Sequence, residues 1–266
     1  MILPALTNLT LSAVYTYSLT IATIVTAITS PFSFFLFPKI SQAFASSNHS
    51  EAKEYTQGSL EVFYYFALPA SLGATILSRP LLEILVGGVY ASHYLVLQIM
   101  VFSYSFFSFR PMLSSILLGN RKTRAYLYSG VGALATNLIL SLTLIPLFGI
   151  YGAVIASVSA WAVSTIPRMV AVNTLLNHGL FLFPYIKMWV NAIIMAATVF
   201  LVGNIFSTGV SGLLIPVATG IVVYISLSIV NRPFSGEARR LVRSIATGPH
   251  SLLQRISTVL MGNSGT

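Results

Sequence analysis

Apolar residues in this chain run in long unbroken stretches rather than in alternation, and seven of these stretches reach or approach the roughly 20 residues a helix needs to cross a bilayer. The pattern predicts helices over Leu9 to Phe37, ending at Pro38, then Ser59 to Ser78 and Tyr94 to Leu118. A fourth covers Ala125 to Ile145, closed by Pro146, and a fifth Leu147 to Ile166, closed by Pro167. The sixth and seventh lie near Tyr185 to Phe206 and Gly209 to Val230. Strands of a membrane barrel would instead alternate over about ten residues. The expected fold is therefore an all-α integral membrane protein, a bundle of about seven transmembrane helices.

Charge supplies the orientation. Of the 14 Lys and Arg residues, Lys39, Lys53, Arg121, Lys122, Arg124, Arg168, Lys187, Arg232, Arg239, Arg240, Arg243 and Arg255 fall in the segments 38–58, 119–124, 167–187 and 231–266. The opposite connections hold only Arg79. Basic residues resist translocation, so the N-terminus is expected outside and the C-terminus in the cytoplasm of a multi-pass protein of the cell membrane. Neither a basic region nor a small-residue cleavage site stands ahead of the first stretch, so no signal peptide is expected. An outside start is the more natural if further helices precede it. Residues 1–230 then form the bundle and 231–266 a basic amphipathic tail, whose Leu241, Ile245, Leu252, Leu253 and Ile256 recur at near-helical spacing among arginines.

Composition narrows the functional classes. The chain is 56% hydrophobic, 7% charged, and has a mean hydropathy of +0.85. Its formal charge of +9 sits at the ends of the spans, where it reports orientation, so no nucleic-acid partner follows. With no cysteine there is no disulfide framework and no thiolate metal site. No two carboxylates stand at a spacing suited to acid/base work, so no enzyme is expected. His49, His93, His178 and His250 sit in separate connections without a second ligand beside them, so neither a metal nor another cofactor is expected.

The polar residues inside the spans are the candidate site. Ser12, Tyr15, Thr16, Thr20, Thr23, Thr26, Ser30 and Ser33 fall within an arc of roughly 140° on the first helix. Such hydroxyls either line a hydrated cavity, where they suit sugar and headgroup oxygens, or bond back to carbonyls one turn earlier and glue helices together. Arg110, followed by Pro111, is the one charge well inside a predicted span. At mid-membrane it costs at least about 2.5–3.5 kcal/mol and must face protein or water. It is either an anion contact for a pyrophosphate or acidic sugar, or a snorkelling side chain bonded to Glu61 or to freed carbonyls. Gly130, Gly132, Gly149, Gly152, Ala153, Ala156 and Ser157 form a small-residue seam for close helix packing, and Asn137 and Asn191 read as inter-helix hydrogen bonds.

Several landmarks recur in a meaningful order. Ala13-Val14-Tyr15 opens the first helix, and Leu36-Phe37-Pro38-Lys39-Ile40-Ser41 stands at its far end. Then come Arg79-Pro80-Leu81-Leu82-Glu83-Ile84-Leu85-Val86-Gly87-Gly88-Val89-Tyr90, Leu117-Leu118-Gly119-Asn120-Arg121-Lys122 and Leu144-Ile145-Pro146-Leu147-Phe148-Gly149-Ile150-Tyr151-Gly152-Ala153. From about residue 11 to 230 this order resembles the C-terminal half of a polysaccharide flippase of the O-antigen and teichoic-acid type, within the multidrug/oligosaccharidyl-lipid/polysaccharide exporter superfamily. The chain departs from that family at Val86-Gly87, where Phe-Gly is usual, and in its shorter connection after Pro38-Lys39-Ile40-Ser41.

The resemblance implies one lobe of a two-lobed transporter plus two further helices. It implies alternating access around a central site, with Tyr15, Thr16, Thr20, Thr23, Thr26 and Ser30 of the first helix toward that site, and Arg110 joins them as a candidate through its place inside a span. The implied partners are membrane lipids, a lipid-linked oligosaccharide, and either a missing N-terminal half or a second copy. A multidrug antiporter of the same superfamily, and a truncated product without transport of its own, stay open as alternatives. A retinal protein is disfavoured because no Lys lies between Gly209 and Val230 to form a Schiff base.

The orientation yields a direct test. A single cysteine at Asn120, flanked by Arg121, Lys122 and Arg124, should react only with membrane-permeant thiol reagents in intact cells. Labelling by an impermeant reagent added outside would reverse the topology.

Overall fold

The computed structural model describes residues 9–46, 48–107, 109–176, 185–206 and 210–231, and the side chains of these apart from 9–10, 25–37, 49, 89, 105 and 176. Among the described residues all regular structure is helical. In chain order the helices are α1 (Leu9–Ala45), α2 (His49–Ile76), α3 (Ser78–Leu85), α4 (Gly88–Ala91), α5 (Tyr94–Phe107), α6 (Arg110–Gly119), α7 (Thr123–Phe148), α8 (Ile150–Leu176), α9 (Ile186–Ile205) and α10 (Ser211–Asn231). The helices α7, α8, α9 and α10 are each long and apolar enough to cross a membrane, and α2 with α3 forms a fifth candidate bent by 77°. The described parts of α1 and α5 add shorter apolar stretches, Leu11–Ile24 and Tyr94–Tyr104. The protein is an all-α, multi-pass membrane protein.

Several expected boundaries move, and the prolines explain most of the shifts. Pro38 does not end the first helix, which continues to Ala45. Pro146 and Pro167 likewise lie inside α7 and α8 rather than closing them. Proline removes one backbone donor and strains the preceding turn, yet membrane helices tolerate it when neighbours re-satisfy the freed carbonyl. The second helix starts at His49 instead of Ser59, because Asn48 caps it. The Asn48 side chain accepts from the Glu51 amide at 3.2 Å, and its Nδ2 donates to Glu51 Oε2 at 3.0 Å. That reciprocal pair turns the second half of the expected 38–58 loop, from His49 on, into helix.

The second helix ends at Ile76, close to the expected Ser78, and the chain bends at Leu77 into α3 with its backbone bonds kept, the Leu77 amide on Gly73 O at 3.0 Å and the Leu81 amide on Leu77 O at 2.9 Å. One expected span is interrupted. The third breaks between Phe107 and Arg110. The fifth begins at Ile150 and reaches Leu176, so Arg168 belongs to a helix and not to a loop. Of the expected tail, 231–266, only Asn231, the last residue of α10, is among the described residues.

Two apolar clusters hold the bundle. One gathers Phe63, Tyr64, Phe109, Met112, Leu113, Ile116, Tyr185 and Met188, joining α2, α6 and α9. The other gathers Val14, Ala22, Leu82, Val96, Leu97, Met100, Ile150 and Val154, joining α1, α3, α5 and α8. Outside them the surface is rich in apolar side chains, including Leu134 (71% exposed), Leu147 (73%) and Ile205 (73%), as a lipid-facing bundle requires.

The helices α7 and α8 form the most extensive helix pair. Their turn is closed by Gly149, at φ +56°, and by Gly152, where a Cβ would run into the Leu144 carbonyl. Gly152→Ala should therefore force the hairpin apart and destabilise the protein by about 1–3 kcal/mol or more. Gly132→Ala, whose Cβ would meet Val163 at 3.4 Å, should be tolerated. Thermal unfolding of both variants in detergent checks the contrast, and equal melting temperatures would contradict it.

Candidate functional site

The break between α5 and α6 places Arg110 as the first residue of a new helix. Phe109 caps α6, its carbonyl accepting from the amides of Met112 at 3.1 Å and Leu113 at 3.3 Å. Pro111 then stands in the first turn, where its missing donor leaves no bond unmade. The reading of Arg110 as interior to one continuous span is corrected accordingly. Its side chain is half-buried and, among the described residues, makes no hydrogen bond or ion pair, with Glu61 or any other group. Glu61 itself is buried within α2.

The expected polar arc of α1 is divided by the packing. Thr16 and Thr20 are exposed and Thr23 is half-buried, whereas Ser12 is buried and Tyr15 half-buried. The threonine hydroxyls bond back along the helix, Thr16 to Ser12 O at 2.9 Å, Thr20 to Thr16 O at 2.9 Å and Thr23 to Thr20 O at 2.7 Å. The protons of Thr16 and Thr20 are thus used internally, and their oxygen lone pairs are left to accept from outside. Tyr15 bonds across the bundle to Ser157 Oγ at 2.6 Å, fastening α1 to α8. Beside it Tyr104 meets Trp161 edge-on, with ring centroids 4.5 Å apart. The side chains of Thr26 and Ser30 lie outside the described residues.

Sequence reasoning missed Arg168, because Pro167 was expected to end its helix. Arg168 is buried, with Nε donating to Ser129 Oγ at 2.7 Å and Nη1 to Ser114 Oγ at 2.8 Å. Its guanidinium lies 4.7 Å from the centroid of the Tyr126 ring. The apolar residues Val172 and Leu175, packed in the core one and two turns beyond Pro167, were the available signal that the helix continues. Asn191 does join two helices, accepting from Asn231 Nδ2 at 2.7 Å across α9 and α10.

A second feature is apolar. A groove of about 540 Å³ opens between α2, α9 and α10, lined by residues including Phe66, Ala70, Leu77, Met195, Val217 and Ile221. Tyr224 spans it, donating to the Tyr65 carbonyl at 2.9 Å. Among the described residues no group of three His, Asp or Glu side chains is placed to hold a metal ion.

These elements define an all-helical, multi-pass membrane bundle. Among solved structures the chain is similar to the lipid II flippase MurJ in its inward closed conformation, with a TM-score of 0.68 and 17% sequence identity. The likeness covers 83% of this chain and 47% of that one, so this chain spans about half the length of the flippase it matches. No protein-family model matches the chain, and neither does any curated protein.

The bond from Tyr15 to Ser157 can be measured. Tyr15→Phe, Ser157→Ala and the double variant should give a coupling energy of about 0.6 kcal/mol, the usual size of a side-chain bond between membrane helices. A coupling of zero in a reversible unfolding assay would show that α1 and α8 are held together by packing alone.

Proposed function

We propose that this chain forms one lobe of a transporter that carries a lipid-linked saccharide between the leaflets of a cell membrane by alternating access. The observation that carries the reading is the fold shared with a lipid II flippase over 83% of the chain. The local chemistry supports it. A lipid-linked headgroup needs a polar path, and the exposed edge of α1 offers Thr16 and Thr20 with Arg110 at the start of α6. Its lipid chain needs an apolar path, and the groove between α2, α9 and α10 is lined almost wholly by apolar side chains.

In this reading the N-terminus lies outside and the turn 119–124 faces the cytoplasm. Arg110 contacts the anionic linkage of the cargo, and the headgroup crosses without covalent change. Alternating access moves one lobe against another around the site. The second lobe comes from polypeptide beyond these residues or from a second copy.

The test is complementation. In a strain lacking its own flippase for a lipid-linked sugar, these 266 residues alone should not restore surface polysaccharide, whereas co-expression with a matching N-terminal lobe should. Arg110→Ala should weaken that rescue, by roughly tenfold if one hydrogen-bonded charge contact to the cargo is lost. Full rescue by the chain alone, without crosslinks between α1 cysteines of two copies, would sink the one-lobe reading.

A further inference from the structure

Arg168 is 6% exposed and lies within the apolar stretch Ile150–Leu175 of α8. Among the described residues no carboxylate pairs with it, and its acceptors are two neutral hydroxyls and a ring face. A buried cation without a counter-charge is costly, and an apolar side chain of similar volume would pack at less expense. What an apolar side chain lacks is the ability to tie three helices at one point.

Each serine that accepts from Arg168 passes the interaction on. Ser129 Oγ donates to Tyr126 O at 2.8 Å within α7, and Ser114 Oγ donates to Arg110 O at 2.8 Å within α6. The second relay ends on the first residue after the break in the third span. Two hydrogen bonds through Ser114 thus separate the Arg168 guanidinium from the Arg110 backbone, so two like charges are carried on neighbouring helices. No side-chain acceptor holds Arg110 among the described residues.

We propose that Arg168 is a positioning residue for Arg110: it fixes the first turn of α6 through Ser114 and, bearing the same charge, holds the Arg110 guanidinium on the accessible side of the bundle. The inference rests on the reading of Arg110 as an anion contact, but its test does not. If Arg168 is neutralised, the repulsion vanishes and the oxygens of Ser114 and Ser129 stand vacant beside Tyr126. Arg110 then turns inward.

The experiment is arginine modification by phenylglyoxal on the full chain in lipid nanodiscs, with rates at each arginine read by peptide mass spectrometry. Arg168→Gln should slow modification of Arg110 by roughly threefold or more, the span expected for coupled neighbours. Arg79 and Arg124 should keep their wild-type rates, and Arg168→Lys should keep the rate at Arg110. An unchanged or faster Arg110 rate in folded Arg168→Gln overturns the proposal, whereas loss of protection at all sites alike marks a variant that has not folded. If that variant does not fold, Ser114→Ala/Ser129→Ala retains both cations while cutting the tie. Arg168 should then itself become reactive, and a wild-type pattern would equally overturn the inference. Inorganic pyrophosphate added to the wild type tests the underlying reading separately. Its failure to shield Arg110 would remove the anion contact and leave the comparison of Arg168 variants standing.

Discussion

Inside a hydrocarbon layer no water is present to accept from an amide or donate to a carbonyl, and this one constraint shapes every element of the chain. It explains why Pro69, Pro146, Pro167 and Pro216 all lie within helices, since abandoning the helix would strand several backbone groups where each proline strands one. It also explains the form of the 77° bend after Ile76. The chain changes direction there while its amides keep carbonyl partners on both sides of Leu77. Side-chain hydroxyls follow the same rule. Thr16, Thr20, Ser71, Thr75, Ser103 and Thr198 each bond to a carbonyl one turn back.

The all-α membrane class was legible from the sequence because the same constraint leaves a plain signature, apolar runs long enough to span. The interruptions were less legible. At Asn48 the signal was present, a capping residue three positions before Glu51, but the charges nearby favoured a loop. At Leu77 the end of the helix was legible beside Ser78-Arg79-Pro80, but not the second helix that follows it at once, and before Arg110 the aromatic run reads as helix even though Pro111 suits a helix start. Those breaks depend on tertiary packing, in which Leu82 and Phe109 are drawn into separate clusters.

The candidate site was legible in its parts but not in its arrangement. Periodicity gathered the hydroxyls of α1 onto one arc, but only packing decides where the border between bundle and exterior cuts it. Tyr15 falls inside the border and Thr20 outside. Arg110 stood out as a charge within an apolar run. Arg168 did not, because a proline beside a basic residue is the ordinary mark of a span's end, and only the hydroxyls of Ser114 and Ser129, distant in sequence, make its burial tenable.

The α7–α8 hairpin bears on how the protein is made. Only 11% of the apolar stretch of α7 is buried against the rest of the bundle, while that of α8 is 50% buried. With Gly152 pressed on the Leu144 carbonyl and the guanidinium of Arg168 bonded to Ser129, almost everything α7 touches is α8. Its apolar length lets α7 enter the lipid before its partner emerges. The arginine of α8 is then spared from crossing unsatisfied, because the Ser129 hydroxyl that receives it is already in place.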